Sequence, residues 1–266
     1  VTIAEALRTS GIDAREARLL LANATGFSEA AVIAHPGRGL PSDTERRFLE
    51  YAARRRGGEP VAYILGRKEF YGLELVVTPA VLIPRPETEL LVELSLKHDF
   101  SCAVDLGTGS GAVALALKRE RPRARIVAVE SSAAALEVAK RNSVRLNLEI
   151  EPRHGRWFAP LVTGGKAERF DLVVANPPYV AAGDPHLDDL RYEPASALVS
   201  GADGLDALRE IAAAAPSHLE RGGWLFVEHG MGQDAAVRRL LEQSGLEEVA
   251  SWPDLAGIPR VSGGRR

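Results

Sequence analysis

The run Val104-Asp105-Leu106-Gly107-Thr108-Gly109-Ser110-Gly111 constrains the fold of this chain more than any other segment. The stretch from Ser101 to Leu106 has the length and apolar character of a buried strand, and Ala112 to Glu120 carries the Ala/Leu pattern of an amphipathic helix. Between them, alternate glycines permit a tight turn and let backbone approach a ligand with no Cβ in the way. A strand that turns directly into a helix points to a layered α/β arrangement with right-handed crossovers. The rest of the sequence agrees from residue 101 onward. Strands are expected near 101–106, 125–130, 149–153, 170–175 and 223–229, with weaker ones near 246–251 and 259–263. Helices are expected near 112–121, 132–143, 203–215 and 232–244.

The chemistry of the turn is specific. Its spacing is G-x-G-x-G rather than the G-x-G-x-x-G of dinucleotide sites, and Asp105 precedes it. An acidic group there suits a cationic ligand better than a pyrophosphate. A second acid, Glu130, ends the next expected strand, where a carboxylate can bridge ribose hydroxyls. Strand, glycine turn, helix, strand and acid together describe a site for S-adenosyl-L-methionine, whose methionine end is zwitterionic and whose ribose is free. The expected cofactor-binding residues are thus Asp105, Gly107, Thr108, Gly109, Ser110, Gly111 and Glu130. The fold class is α/β, a Rossmann-like seven-stranded methyltransferase sheet with a small N-terminal helical domain.

Asn176-Pro177-Pro178-Tyr179 follows the apolar run Phe170–Ala175. Each proline disfavours helical φ/ψ in the residue before it, and neither has an N–H to donate. Taken alone, Asn-Pro-Pro also opens ordinary loops. Downstream of the glycine turn it has a sharper use, a rigid edge on which the Asn176 side-chain oxygen and the Pro177 carbonyl converge. Two acceptors can hold both hydrogens of one amide or exocyclic amine and leave its nitrogen aimed at a donor. Tyr179 is placed to stack on such a planar group. A carboxamide nitrogen becomes acidic only after the methyl group has arrived, so positioning matters more than a strong base. Adenine also carries a planar conjugated NH2, and the segment alone leaves both substrates open.

Composition narrows the field. A net charge of −3 provides no global basic field for nucleic acid, and no basic or aromatic-interleaved recognition region is visible. The single cysteine, Cys102, is expected as a small buried hydrophobe, and its solitude excludes an internal disulfide, which suits a reducing cytoplasm. No stretch approaches the ~20 apolar residues needed to span a bilayer. Glu5, Arg8, Asp13, Arg15, Glu16 and Arg18 are incompatible with a signal peptide in the first thirty residues. The scattered histidines suggest no metal site.

Three domains are expected: residues 1–70, a helical substrate-docking domain; 71–98, a hairpin/helix connector; and 99–266, the methyltransferase domain. In the first, Thr2 with Glu5, Asp13 with Glu16 and Ser42 with Glu45 are capping pairs. Its arginine runs, Arg46-Arg47 and Arg54-Arg55-Arg56, suit either a solvated helix face or an acidic partner. In the second, Glu69 to Val77 alternates around Gly72 as a hairpin or extended connector, and a helix to about Lys97 opens at Pro86. Arg85 is either a surface partner of Glu87 or part of the wall of the active cleft.

These motifs resemble those of the release-factor glutamine N5-methyltransferases over essentially the whole chain. The matching segments are Phe70-Tyr71-Gly72-Leu73, Ile83-Pro84-Arg85-Pro86-Glu87-Thr88-Glu89, the glycine turn and Asn176-Pro177-Pro178-Tyr179. Further on come Glu193-Pro194 with Ala197-Leu198, Asp203-Gly204-Leu205, Glu228-His229-Gly230 and Arg260-Val261. The resemblance implies methylation of the glutamine in the Gly-Gly-Gln loop of class 1 peptide chain release factors, in the cytoplasm, with no membrane and no nucleic-acid substrate. It adds Trp157 and Asn176 to the cofactor site and gives Asn176 to Tyr179 to the substrate, with Arg85, as part of the cleft wall, a further expected substrate contact. Two related readings remain: glutamine methylation of a ribosomal protein, and adenine-N6 methylation of DNA or RNA. Two departures stand out. The family usually has Asp where this chain has Glu130, and Asp rather than Arg156 ahead of Trp157-Phe158.

Overall fold

The computed structural model describes residues 1–266, which divide into two compact units, Val1–Arg67 and Lys68–Arg266. The first is all helical: α1 (Ile3–Thr9), α2 (Ala14–Thr25), α3 (Glu29–Ala34), α4 (Ser42–Arg56) and α5 (Val61–Leu65). Apolar residues three or four apart on α2 and α4 bury Leu20, Leu21 and Phe48 completely, with Ile3 and Val32 closing the same core. Thr2 and Glu5 form a reciprocal capping box, and Asp13 accepts from the N–H groups of Arg15 and Glu16. The expected Ser42–Glu45 cap does not form. Pro41 holds the cap position in extended backbone, which moves Ser42 into the first helical turn. Two of the five arginines on α4 find acids within this unit: Arg54 pairs with Glu59 and Arg55 with Glu16.

In the second unit the hairpin β1 (Arg67–Phe70) and β2 (Leu73–Val76) turns on Tyr71 and Gly72, both at positive φ as a two-residue hairpin requires. A 3₁₀ turn at Pro86–Thr88 precedes α6 (Glu89–Leu96), so the regular helix begins three residues after Pro86. Residues 71–98 are no separate connector. Leu73, Leu75, Leu91, Val92 and Leu94 belong to one buried cluster with Ala103 and Leu115.

The main chain then alternates: β3 (Cys102–Leu106), α7 (Ala112–Glu120), β4 (Arg125–Glu130), α8 (Ala133–Leu146), β5 (Glu151–His154). A short hairpin not expected from the sequence follows, β6 (Val162–Thr163) and β7 (Lys166–Ala167). Next come β8 (Phe170–Ala175), α9 (Asp206–His218), β9 (Leu219–Glu228), α10 (Asp234–Gln243), β10 (Glu247–Pro253) and β11 (Pro259–Arg265). Seven strands form one sheet in the order β10-β11-β9-β8-β3-β4-β5. The run from β9 to β5 is parallel, and β11 and β10 are antiparallel additions. The central strands are apolar on both faces and separate two clusters, one under α6 and α7, the other under α9 and α10. Cys102 sits half-buried at the open start of β3, with Arg125 Nη1 3.5 Å from its sulfur, rather than inside the core. No helix is long and apolar enough to cross a membrane.

Candidate active site

The chain leaves β3 toward β4 and β5, then returns to the other side of β3 to lay down β8 and β9. The carboxyl ends of β3 and β8 therefore flank the point where strand order reverses, the place where open α/β sheets bind ligands. Leu106 is level with Ala175 on one side and Val129 on the other. The glycine turn, Asn176 and Glu130 consequently emerge side by side. They border one cleft of about 410 Å³, a size suited to a small-molecule ligand.

The glycine turn is held by its neighbours as much as by its own sequence. The N–H groups of Gly107 and Thr108 both donate to the Val129 carbonyl, at 2.8 and 3.0 Å. Asp105 Oδ2 accepts from Thr108 Oγ1 (2.6 Å) and from the Ala114 N–H (3.2 Å). Burial pushes the Asp105 carboxyl up to about 6 against those two bonds. Asn142, wholly buried on α8, donates to the Ser110 and Val76 carbonyls and accepts from the Val76 N–H, tying turn to hairpin. Nothing in the local pattern around Asn142 marks that task.

Gly107 has φ +74°, and a Cβ there would sit 3.2 Å from the ring of Trp157. Trp157 itself takes φ +47°, the left-handed region that large side chains avoid, and lies against the turn as a flat wall. Its Nε1 is buried without a hydrogen-bond partner. Arg156 stacks over the other part of this wall, 5.5 Å from the Trp157 ring centre, and holds Glu210 of α9 with two bonds of 3.0 and 2.6 Å. Arg156 thus replaces an expected acid with a cation that brings its own acid to the cleft, since Glu210 also lines it. Glu130 Oε2 accepts from the Gly109 N–H (3.0 Å), and Oε1 from the Ser132 N–H (2.8 Å). Ser131 Oγ is a second donor to Oε1 at 3.3 Å, so the further lone pair is on Oε2. Backbone turn, aromatic wall, orphaned indole N–H and the acid closing β4 fit an S-adenosylmethionine-sized ligand with hydroxyls and a planar heterocycle.

The acceptor side is built from more distant pieces. Asn176 Nδ2 donates to Thr88 Oγ1 at 3.1 Å, which leaves Oδ1 as the acceptor end of that amide. Asn176 and Pro178 border the cleft; Pro177 is buried, and neither Pro177 nor Tyr179 reaches it. The expected stacking role of Tyr179 is therefore corrected. Its ring turns inward and its hydroxyl donates to Glu228 Oε1 at 3.2 Å, because Glu228 is a buried acid in need of donors. Gln233 Nε2 donates to the Tyr179 carbonyl at 3.0 Å. At Gly204, with φ +77°, any Cβ would collide with that same carbonyl. Gly111, the left-handed cap of α7, also lies off the cleft.

Arg85 does border the cleft, but its partner is Glu193, not Glu87. Arg85 is extended ahead of Pro86, and Glu193 is 7% exposed, so the interior acid captures the guanidinium. Glu193 Oε2 also accepts from the Ile83 N–H at 2.9 Å, fixing the residues on either side of Pro84.

Comparison with known proteins gives consistent results. A profile of the PrmC N-terminal domain matches residues 2–66, and one of the methyltransferase small domain matches residues 86–191. A release factor glutamine methyltransferase of Burkholderia pseudomallei is 48% identical, covering 99% of this chain and 96% of its own length. Another from Pseudomonas aeruginosa is 47% identical over 94% of this chain and 91% of its own. Among solved structures, a Thermus thermophilus 16S rRNA methyltransferase in complex with AdoMet and guanosine superposes with a TM-score of 0.55 at 22% identity. It covers 75% of this chain and 49% of the other, a likeness of fold.

Proposed function

Because this chain belongs to the release factor glutamine methyltransferase family, we propose that it methylates the Gly-Gly-Gln glutamine of class 1 peptide chain release factors. The donor is S-adenosylmethionine, whose sulfonium supplies an activated methyl group and departs neutral. Gly107, Thr108, Gly109, Ser110, Glu130 and Trp157 hold it, with Asp105 and Gly111 fixing the shape of the turn. A translation factor as substrate places this activity in the cytoplasm.

One observation carries the acceptor role: the Thr88 hydroxyl fixes the Asn176 amide by its Nδ2 end at the sheet's switch point. Oδ1 then takes a hydrogen from the incoming carboxamide and orients its nitrogen toward the methyl group. Withdrawing that hydrogen from the amide plane favours the loss of conjugation that the transition state requires. Pro177 and Tyr179 serve this arrangement from behind, by fixing the segment, while Arg85 and Pro178 offer contact surface at the cleft.

The test is transfer from labelled S-adenosylmethionine to a purified, unmethylated release factor. Its Gly-Gly-Gln→Gly-Gly-Ala variant and adenine-containing DNA and RNA serve as controls. Label on the intact factor alone is the expected result. Label on nucleic acid alone would overturn the acceptor while leaving the cofactor site standing.

A further inference from the structure

Four acids border the cleft: Asp105, Glu130, Asp206 and Glu210. Three of them are engaged in shaping it. Asp105 is buried and takes the Thr108 hydroxyl and the Ala114 N–H. Glu130 takes the Gly109 and Ser132 N–H groups beside the glycine turn. Asp206 opens α9, accepts from Arg209 at 2.8 Å and packs on Gly201, where any Cβ would fall 2.0 Å from its Oδ2. Glu210 lies one turn further along the same side of α9. Of the four, it alone is tied to the aromatic wall, through Arg156, which stands 5.5 Å from the Trp157 ring centre.

Each Glu210 oxygen receives one bond from Arg156, at 3.0 and 2.6 Å, and keeps a lone pair. Arg156 also draws the Glu210 carboxyl below the usual carboxylate range, so near neutral pH it is ionised and can only accept. A pair exposed to this degree does little for folding, and stability does not account for an acid at this place. The wall beside it has the opposite need. Trp157 Nε1 is a donor, buried and without a partner. A flat wall that pairs an unmet donor with an adjoining acceptor suits a heterocycle bearing both complements. Adenine has ring nitrogens for the first and an exocyclic amine for the second.

We infer that Glu210 is a cofactor-binding residue that recognises the 6-amino group of the donor's base, so that α9 makes this site selective for adenine; this rests on the cofactor assigned above and not on the acceptor.

The experiment is titration calorimetry of the full chain with two ligands. One is S-adenosylhomocysteine, the donor without its methyl group; the other is its purine analogue, with hydrogen in place of the 6-amino group. The analogue keeps every ring nitrogen, so only the amine is tested. The wild type is expected to bind the amine-bearing ligand about tenfold more tightly. Glu210→Ala should bring the two Kd values within about twofold, by weakening the amine-bearing ligand and leaving its analogue nearly unchanged. Glu210→Gln, which retains an acceptor but not the charge, should keep a preference of about threefold. If Glu210→Ala does not fold, Glu210→Gln decides by the same narrowing. A tenfold preference that survives in a folded variant overturns the inference. So does a wild type that binds both ligands equally, or a variant that weakens both by the same factor. A wild type that binds neither ligand overturns the cofactor reading and this inference with it, whereas failure to methylate the release factor would leave it standing.

Discussion

The two sides of the cleft are built on different principles. The proposed cofactor side is local: Gly107 to Ser110, with Glu130 and Trp157, place a tight backbone turn, one acid and one ring within short reach of β3 and β4. The acceptor side is a relay of side chains drawn from far apart in the chain. Asn176 meets Thr88 across 88 residues, and Tyr179 meets Glu228 across 49. A backbone turn takes its shape from φ and ψ and from the few fixed groups that hold it, here the Val129 carbonyl, Asp105 and Asn142. A relay depends on every member for its direction. The comparison teaches that affinity for the donor and orientation of the acceptor are separable in this enzyme.

Substitutions can break that separation. The largest expected effect is Asn176→Ala, which removes the acceptor atom itself: kcat falls about 10³-fold, or ~4 kcal/mol, while the cofactor Kd stays within about threefold. Titration calorimetry alongside turnover checks both, and equal turnover at saturating substrate would remove Asn176 from its role. Next is Gly204→Ala. A methyl group driven against the Tyr179 carbonyl at positive φ costs about 3 kcal/mol of stability or displaces the acceptor segment, so thermal unfolding and kcat both suffer. Gly107→Ala acts on the other side. Its Cβ presses on Trp157 at 3.2 Å and weakens cofactor binding about tenfold, ~1.4 kcal/mol, with kcat at saturation nearly intact. The smallest effect belongs to Arg156→Ala. The Arg156 and Glu210 side chains are 62% and 48% exposed, so their pair contributes less than about 1 kcal/mol. A cofactor Kd shifted by more than about fivefold would show that Glu210 needs Arg156 to reach the ligand.

The same contrast explains what could be read from sequence. The strands β3, β4 and β8 fall within a residue of expectation because buried parallel strands are near-continuous apolar runs bounded by glycine, proline or acid. The glycine turn, Glu130 and Asn176 were visible for the same local reason. Thr88, Asn142, Gln233 and Glu193 were not assigned tasks, since each is an ordinary polar residue until a partner from another segment arrives. Tyr179 was misplaced because sequence shows an aromatic ring but not the buried acid toward which it turns. For Arg85 sequence offered a pair with Glu87 or a place on the cleft wall; it borders the cleft, and its partner Glu193 lies 108 residues away and is deeply buried. The Ser42 cap failed by one position, the usual scale of error at a helix end.

The position of β11 has a consequence for the life of the chain before it is an enzyme. β11 follows every other strand in sequence, yet lies between β9 and β10, with Val261 directly opposite Glu228. During synthesis the sheet must wait with β9 unpaired on that flank until residues 259–265 are made. That flank of the sheet is thus completed last, after the glycine turn already has its neighbours β4 and β8. A nascent chain would hold the parallel strands around its glycine turn before the antiparallel edge of the sheet could close.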